Sequence, residues 1–394
     1  MSRDFFKATV RAYLFGALEM FMKKLLFFGL LISSISMLPF AAMADHPPKR
    51  LLRNFMAFGE LGETGKLGKF DVNVAVYGAL PKEKTTTKDN SALDKIFADK
   101  FNFAAIVMKG DEIIYERYNS KKGIDSNFPL LGMSMSKTAA SAAVGALLCD
   151  GRLKSLDDKA GNYSNFLKAT PYRDVSVRNI LQMNSGVSPI GRSDEKRFNR
   201  KARGVAKFSG AADVRGALKF YKTAARKQGE TMNYHSSDSL ALSVLVEEIA
   251  GKPLSDVFHQ HVFQKFSGDG YMHWTADKSG TTVTFSDLVM TAKDWARFGR
   301  FVMTERRKGS CLGAFFSDGV KNAVASPNPS KQYGYQSWVY QVNGKPAFAF
   351  QGHGGQFLVL DDSKDTVLLT LSFNESYAAG NLFKDITKFA EQLD

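Results

Sequence analysis

Residues 130–153, LLGMSMSKTAASAAVGALLCDGRL, contain one lysine in an otherwise almost entirely apolar run. Alanine, valine and leucine fill most positions after Lys137, which predicts a buried helix that ends at Gly151, where a C-terminal cap would sit. Lys137 stands near the start of this helix, three residues after Ser134, so the two side chains share one helical face. A lysine in this place either reaches solvent or takes part in chemistry with Ser134.

Ser134 and Lys137 are residue types that acyl transfer can use. A serine hydroxyl is a weak nucleophile at neutral pH and needs a neighbouring base. Burial and the positive end of a helix dipole both disfavour a charged ammonium, which would let the lysine carry the serine proton. The helix N-terminus also supplies backbone N–H groups for an oxyanion. A second Ser-x-x-Lys, Ser193–Lys196, lies in the charged stretch GRSDEKRFNRK without an apolar helix behind it, and we interpret it as chance.

Two further segments supply candidate site residues. NYHSSDS places Tyr234 and Ser236 just before an apolar helix. GHGGQ places His353, Gly354 and Gly355 at a strand, where glycine allows a substrate to approach the backbone closely. Taken alone, Tyr234 would be interpreted as a core aromatic residue at a helix start. The order and spacing of all three segments, however, are typical of serine β-lactamases and penicillin-binding proteins.

The chain resembles the class C β-lactamase-like serine hydrolases, a group that includes DD-peptidases, carboxylesterases and 6-aminohexanoate-dimer hydrolases. The resemblance covers roughly residues 100–380 and depends on SMSK, VSVRNILQMNSGV, NYHSSDS, TAKDWARFG, YGYQSW and GHGGQ in the family's order. The run MHWTADKSG…TAKDWARFG is similar to the aminohexanoate-hydrolase branch. This resemblance implies an α/β (α+β) fold of the β-lactamase/transpeptidase type: an antiparallel sheet flanked by helices, plus an all-helical domain, with the site between them.

The resemblance also implies a role for each matching residue. Ser134 would be the acylated nucleophile, Lys137 its proton partner, and Tyr234 the general base that later protonates the leaving group. Tyr234 would need the nearby Lys137 ammonium, because a phenol keeps its proton at neutral pH. The backbone N–H groups of Ser134 and Gln356 would form the oxyanion hole. The candidates for substrate binding are Ser236, His353, Gly354, Gly355 and Trp338. For His353 and Trp338, a purely structural role is an open alternative.

Two departures from the family pattern concern the substrate. Tyr234-His235-Ser236 stands where β-lactamases usually carry Tyr-x-Asn, and His353-Gly354-Gly355 stands where they carry Lys-Thr-Gly. The missing lysine removes a positive charge that would hold a substrate carboxylate, which argues against efficient β-lactam hydrolysis. We therefore expect a carboxylesterase or amidase for small linear substrates. The alternative is a penicillin-binding sensor or DD-peptidase-type cell-wall protein that is acylated with little turnover.

The first 44 residues look like a secretory signal peptide. The basic Met22-Lys23-Lys24 precedes an apolar run that ends in Ala-Met-Ala, which predicts cleavage after Ala44 and a periplasmic or secreted protein. An uncleaved membrane anchor is the alternative, since the apolar run is long enough.

The order of the remaining segments predicts the domain organisation. FAAIVMKGDEIIYERY indicates a hairpin around Lys109–Glu112. Residues 155–265 look mostly helical, with a basic loop at 191–208, and TAKDWARFGRFVMTERRKG predicts one more helix before three strand candidates. Such an order is explained by a chain that leaves a sheet, builds a helical block and returns. We expect one hydrolase domain at 45–394, with a sheet subdomain at about 45–135 and 270–394 and a helical subdomain at about 136–269.

Charge and composition limit the partners. Of the formal charge of +14, the first 44 residues account for +3, so +11 remains on the rest. This charge favours anionic surfaces such as an acidic cell-wall polymer, whereas no nucleic-acid motif accompanies it. Six histidines without a His-Glu-x-x-His motif argue against a metal site, and no cofactor is expected. Cys149 and Cys311 either stay free or form one bridge.

Overall fold

The structure is a computed structural model that describes residues 72–78, 93–94, 102–120, 123–190, 195–202, 213–268, 270–342 and 344–372. These residues belong to one unit, 46–394. The predicted signal peptide, its cleavage point and Ser193 lie outside the described residues. Within the described ranges, no helix combines the length and the apolar character needed to cross a membrane.

Twelve strands lie in the described part of the chain. In chain order they are β1 (Val72–Tyr77), β2 (Asn102–Lys109), β3 (Glu112–Tyr118), β4 (Pro129–Leu131), β5 (Met272–Asp277), β6 (Leu288–Thr291), β7 (Val324–Ala325), β8 (Gln332–Gly334), β9 (Ser337–Val342), β10 (Lys345–Gly352), β11 (Gln356–Asp361) and β12 (Thr366–Ser372). They form two antiparallel sheets, an eight-stranded one in the order β3-β2-β12-β11-β10-β9-β8-β7 and a four-stranded one in the order β1-β5-β6-β4.

Ten α-helices accompany these strands among the described residues. They are α1 (Ser136–Cys149), α2 (Asn165–Lys168), α3 (Val177–Leu181), α4 (Glu195–Ala202), α5 (Val214–Leu218), α6 (Ser236–Ala250), α7 (Leu254–Phe258), α8 (Gln264–Ser267), α9 (Ala292–Lys308) and α10 (Cys311–Lys321). Short 3-10 helices cover Met133–Met135 and Ala160–Asn162, and a π-helical turn at His259–Phe263 joins α7 to α8.

The large sheet is buried on both faces, which explains its almost continuous apolar strands. Ile106, Phe348 and Leu369 belong to the main core, whereas their chain neighbours, such as Val107 and Leu368, belong to a second core on the opposite face. The hairpin predicted around Lys109–Glu112 is confirmed, because β2 pairs with β3. β2 also pairs with β12, so the chain does leave this sheet, build the helices and return.

The segment 130–153 differs from the single helix that its composition predicts. It begins as β4, which pairs with β6, and turns through the 3-10 helix before α1 starts at Ser136. Met133 has a φ of +50°, a left-handed conformation that an α-helix does not contain. Gly132 precedes it because a Cβ there would lie 2.1 Å from the Trp295 ring. Ser134 therefore lies on a tight turn between a strand and a helix.

Two other expectations need correction. The three strand candidates at the end of the chain are five strands, since Tyr335 and Gln336 turn with φ values of +47° and +63° between β8 and β9. Neither residue type announces a left-handed turn in the sequence. The predicted basic loop 191–208 contains α4, which forms because Phe198 and Glu195 are buried against neighbouring elements.

A disulfide joins Cys149, the last residue of α1, to Cys311, the first residue of α10, with 5.7 Å between their Cα atoms. The two helices pack closely, because a Cβ at Gly145 would lie 2.7 Å from the Phe315 ring and 2.8 Å from Leu312. The structure thus settles the alternative that the sequence left open for the two cysteines.

Candidate active site

Ser134 lies on the 3-10 turn between β4 and α1, where its side chain is half-buried. The Ser136 hydroxyl fastens this turn by donating to the Met133 carbonyl at 2.7 Å and accepting from the Leu288 N–H at 3.1 Å. Both bonds are buried, so the turn is tied to β6 as well as to the helix. The backbone around the predicted nucleophile is therefore held before any substrate arrives.

Lys137 is only 2% exposed and points back at Ser134. Its Nζ lies 3.0 Å from the Ser134 Oγ and donates to the Phe285 carbonyl oxygen at 2.7 Å. The carbonyl acceptor fixes the amine in place, since a buried lysine without hydrogen-bond partners would be costly. The serine and lysine predicted to act together are thus in direct contact.

Tyr234 completes the group, with its ring centroid 5.1 Å from the Lys137 Nζ. It directly precedes His235, the N-cap residue of α6, and the His235 Nδ1 accepts from the Ser237 N–H at 3.1 Å. The ring proton therefore lies on Nε2, which is 3.1 Å from the Tyr221 hydroxyl. His235, buried and bonded at both nitrogens, fixes the backbone next to Tyr234.

Asp238 anchors the same helix from its first turn. Its carboxylate accepts hydrogen bonds from the Tyr172 hydroxyl at 2.8 Å and the Ser185 hydroxyl at 2.7 Å, and all three side chains are buried. Burial raises the pKa of Asp238 to about 6, although both hydroxyl bonds oppose this shift. The segment that carries Tyr234 is consequently tied to α3 and its flanking loops by a group that titrates in mildly acidic solution.

Trp338 forms an aromatic wall beside Tyr234. The two rings stack with centroids 5.3 Å apart, and the Tyr333 ring meets both edge-to-face, at 5.7 Å from Tyr234 and 4.9 Å from Trp338. Trp338 retains partial exposure, whereas Tyr333 is buried. Tyr333 therefore forms the buried base of the wall, and the Trp338 ring is the part that a substrate can reach.

Gln336 holds this wall against the helices. Its amide donates to the Ile180 carbonyl at 3.1 Å, and its side-chain oxygen accepts from the Ser239 hydroxyl at 2.6 Å. The neighbouring Ser337 hydroxyl lies 2.9 Å from the Thr138 hydroxyl on α1. The β8–β9 turn thereby connects α1, α3 and α6, and so sets the position of Trp338 relative to Lys137.

The His353-Gly354-Gly355 turn joins β10 to β11 and lies beside the nucleophile's turn. A Cβ on Gly352 would lie 2.4 Å from the Gly132 carbonyl oxygen, so the two backbones touch. Gly354 and Gly355 have φ values of +82° and +96°, which explains the two glycines, and His353 is exposed. The buried Gln356 side chain donates to the His353 carbonyl at 3.0 Å and to the Ser372 carbonyl, which shapes the turn.

Ser236 is placed differently from the other candidates. It is 1% exposed, and its hydroxyl donates to the Glu195 carboxylate at 2.9 Å. The structure thus brings Ser134, Lys137, Tyr234, Trp338 and the glycine turn together but engages the Ser236 hydroxyl with α4.

Several contributors to the site were missed by the sequence analysis. The Phe285 carbonyl that holds Lys137 is a backbone atom, which no side-chain motif can indicate. The N-cap role of His235 could have been predicted, because a polar side chain immediately before an apolar helix is typical of an N-cap. Lys331, whose ammonium lies 3.5 Å from the centroid of the Trp338 ring, was also missed.

Within the residues that the structure describes, no group of three or more histidine, cysteine, aspartate or glutamate side chains is arranged to hold a metal ion. His259 stacks on Tyr77 with ring centroids 4.6 Å apart.

Comparison with known proteins identifies the family. The beta-lactamase family model matches residues 95–386. A 6-aminohexanoate-dimer hydrolase from Paenarthrobacter ureafaciens is 25% identical over 344 residues, which cover 81% of this chain and 84% of that protein.

Solved structures agree on the fold. A Bacillus anthracis protein assigned as a 6-aminohexanoate-dimer hydrolase has a TM-score of 0.69 at 19% identity, covering 89% of this chain and 96% of that chain. The octameric penicillin-binding protein homologue from Pyrococcus abyssi has a TM-score of 0.60 at 16% identity, covering 77% and 76%. The predicted resemblance and fold class are confirmed, and the chain belongs to the beta-lactamase family of hydrolases.

Proposed function

We propose that this protein is a serine hydrolase that cleaves an ester or amide through an acyl-enzyme on Ser134. The observation that carries the proposal is the contact of 3.0 Å between the Lys137 Nζ and the Ser134 Oγ, with the Tyr234 ring 5.1 Å from the same nitrogen. A hydroxyl, an amine and a phenol in one half-buried group form a nucleophile with two proton carriers.

The reaction proceeds in two halves. The Ser134 Oγ attacks the carbonyl carbon, and its proton passes to the Lys137–Tyr234 pair. The tetrahedral oxyanion is stabilised by the backbone N–H groups of Ser134 and Gln356. As it collapses, the pair returns the proton to the departing alcohol or amine, which leaves the acyl group on Ser134. Water then repeats the addition, with the same pair as base, and releases the acid.

Small linear esters and amides are the substrates that we propose. The 25% identity to a 6-aminohexanoate-dimer hydrolase supports this class, and so does the exposed His353 where a β-lactamase would carry lysine. Gly354 and Gly355 add no side chains to the turn between β10 and β11, which allows a substrate to approach the backbone of this turn closely. A small ester, amide or peptide is thus the expected ligand, and the net charge favours an anionic cell-wall polymer as a secondary partner.

Hydrolysis of p-nitrophenyl acetate and of a 6-aminohexanoate dimer by the purified protein tests this proposal. We expect multiple turnovers, and we expect Ser134→Ala to reduce kcat at least about 1,000-fold, since it removes the nucleophile. Mass spectrometry after reaction with a fluorophosphonate should place the label on the peptide that contains Ser134. Unchanged hydrolysis by Ser134→Ala would refute the proposal.

Ser193→Ala is the matched control, because it changes the serine of the other Ser-x-x-Lys sequence. We expect it to retain wild-type turnover and labelling. Penicillin separates the second candidate function: stoichiometric, stable acylation without ester turnover would identify a penicillin-binding sensor or a DD-peptidase-type protein instead.

We also propose that the protein is exported and that residues 1–44 are removed. The Cys149–Cys311 disulfide supports export, because such bonds persist mainly in oxidising compartments. Cell fractionation and N-terminal sequencing should find the protein outside the cytoplasm with Asp45 as its first residue. A cytoplasmic protein that retains Met1 would contradict this part of the proposal.

A further inference from the structure

Lys331 lies on the open side of the aromatic wall. Its Nζ is 3.5 Å from the centroid of the Trp338 ring and 5.8 Å from that of Tyr340. β8 and β9 pair with Tyr333 opposite Trp338, so residues 331, 333, 338 and 340 project from the same face of this hairpin. The side chain of Lys331 is therefore held over Trp338 by the register of the strands.

The Lys331 ammonium has no counter-ion in the described part of the protein. No carboxylate there lies within ion-pair distance of it, although other partly buried cations are paired: Arg178 contacts Asp157 at 2.6 Å and Asp318 at 2.8 Å. Burial lowers the pKa of Lys331 to about 8, with no nearby acid opposing the shift. The ammonium is thus partly desolvated, and among the described residues its charge is compensated by aromatic rings, mainly that of Trp338.

An unpaired cation in this position is costly unless something binds to it. Trp338 stacks on Tyr234, and Tyr234 lies over Lys137, so a continuous row of contacts leads from Lys331 to Ser134. A substrate whose anionic group is held at Lys331 would extend along this row and place its scissile bond at Ser134. The motif that commonly supplies a positive charge on the closing strand is replaced here by an exposed histidine and two glycines.

We infer that Lys331 binds a carboxylate of the substrate, and that the preferred substrates are linear esters or amides with a free carboxylate several bonds from the scissile carbonyl. This inference rests on the proposed function and names its substrate class. The carboxylate would sit over the Trp338 edge and accept a charge-assisted hydrogen bond from the Lys331 ammonium. Trp338 would then serve two groups at once, the ammonium and the hydrocarbon chain that leads to the reacting carbonyl.

Matched charged and neutral esters test the inference. On the acyl side, mono-p-nitrophenyl adipate is compared with p-nitrophenyl hexanoate; on the leaving-group side, 4-acetoxybenzoate is compared with its methyl ester. We expect Lys331→Met to lower kcat/KM for the carboxylate-bearing member of at least one pair about 10- to 100-fold, mainly through KM. The neutral members should change less than about threefold, since methionine still covers Trp338.

Lys345→Met is the matched control, because it removes the same charge from an exposed position at the start of β10. It should leave all four values of kcat/KM near those of the wild type. Thermal unfolding of both variants should match that of the wild type. If Lys331→Met alters neither pair selectively while Ser134-dependent hydrolysis persists, the carboxylate site is wrong and the proposed function stands. If no ester is hydrolysed in a Ser134-dependent manner, the proposed function itself fails.

Discussion

Lys137 and Lys331 lie at opposite ends of the Tyr234–Trp338 stack, and the protein treats them differently. Lys137 is 2% exposed and contacts the Ser134 hydroxyl and the Phe285 carbonyl. Lys331 is partly exposed and rests on an aromatic ring without a hydrogen-bonding anchor for its ammonium among the described residues. One amine is fixed in position by acceptors, and the other is left with hydrogen-bonding capacity for a ligand.

This difference separates chemistry from recognition. A group that transfers protons must keep its geometry to within a fraction of an ångström, so its partners belong to the protein. A group that recognises a ligand must exchange water for that ligand, so its partners must come from outside. Removing each amine should therefore change a different kinetic constant.

The largest expected effect comes from Lys137→Met. We expect kcat for p-nitrophenyl acetate to fall about 1,000-fold or more, because the Ser134 proton loses its carrier. Lys331→Met is the comparison within the same assay, and it should leave kcat for this neutral ester within about threefold. Comparable losses in both variants would abolish the distinction between the two lysines.

Tyr234→Phe should have the next largest effect. The phenyl ring keeps the stack on Trp338 but removes the hydroxyl, so kcat should fall about 100-fold or more with little change in the KM of a carboxylate-bearing ester. Tyr333→Phe is a close control, because Tyr333 touches the same two rings and its buried hydroxyl has no hydrogen-bond partner among the described residues. It should retain nearly full activity; an equal loss in both variants would indicate that the tyrosines act only through packing.

A smaller effect is expected on stability, at the base of the helix that follows Tyr234. Because the pKa of Asp238 is about 6 in the folded protein and about 3.9 when unfolded, its ionisation opposes folding. Its contribution is fully present below about pH 4 and is lost as the pH rises through 6, a total decrease of about 3 kcal/mol in the free energy of unfolding. Asp238→Asn should remove this dependence.

Urea unfolding at pH 4, 5, 6 and 7 measures the Asp238 effect. The stability of Asp238→Asn relative to the wild type should increase by about 2 kcal/mol from pH 4 to pH 7. A difference that stays constant over this range would show that the carboxyl group does not titrate there. Asp362→Asn is a suitable control, since that carboxylate is more exposed and pairs with Arg306 on the protein surface.

Local patterns predicted those parts of the fold in which composition and periodicity agree. The run beginning TAKDWARFG forms α9, as predicted, and the structure adds that Thr291 caps this helix by accepting from the Asp294 N–H. The Ser134–Lys137 contact also follows from spacing, although Ser134 precedes the helix rather than lying on it. A spacing of three positions brings the two side chains together whether Ser134 lies on the helix or on the turn before it.

Other parts of the site depend on contacts between distant residues. The Phe285 carbonyl reaches Lys137 across 148 positions, and the Gln336 amide reaches the Ile180 carbonyl across 156. The left-handed turn at Tyr335–Gln336 that makes this possible is imposed by packing and opposed by local preference. Lys331 and Trp338 meet only because this turn forms, so neither the wall nor its cation could be deduced from the sequence alone.

The Cys149–Cys311 bridge has a consequence for the assembly of the protein. It connects residues 162 positions apart, so the loop that it closes contains helices α2 to α9, and it restricts the unfolded chain more than a short loop would. The bridge can close only after both of its helices have met, and it fastens α1 at the end remote from Ser134. The bridge therefore stabilises the packing of α1 on α10 at one end of α1, while the opposite end of the same helix carries Lys137 beside Ser134.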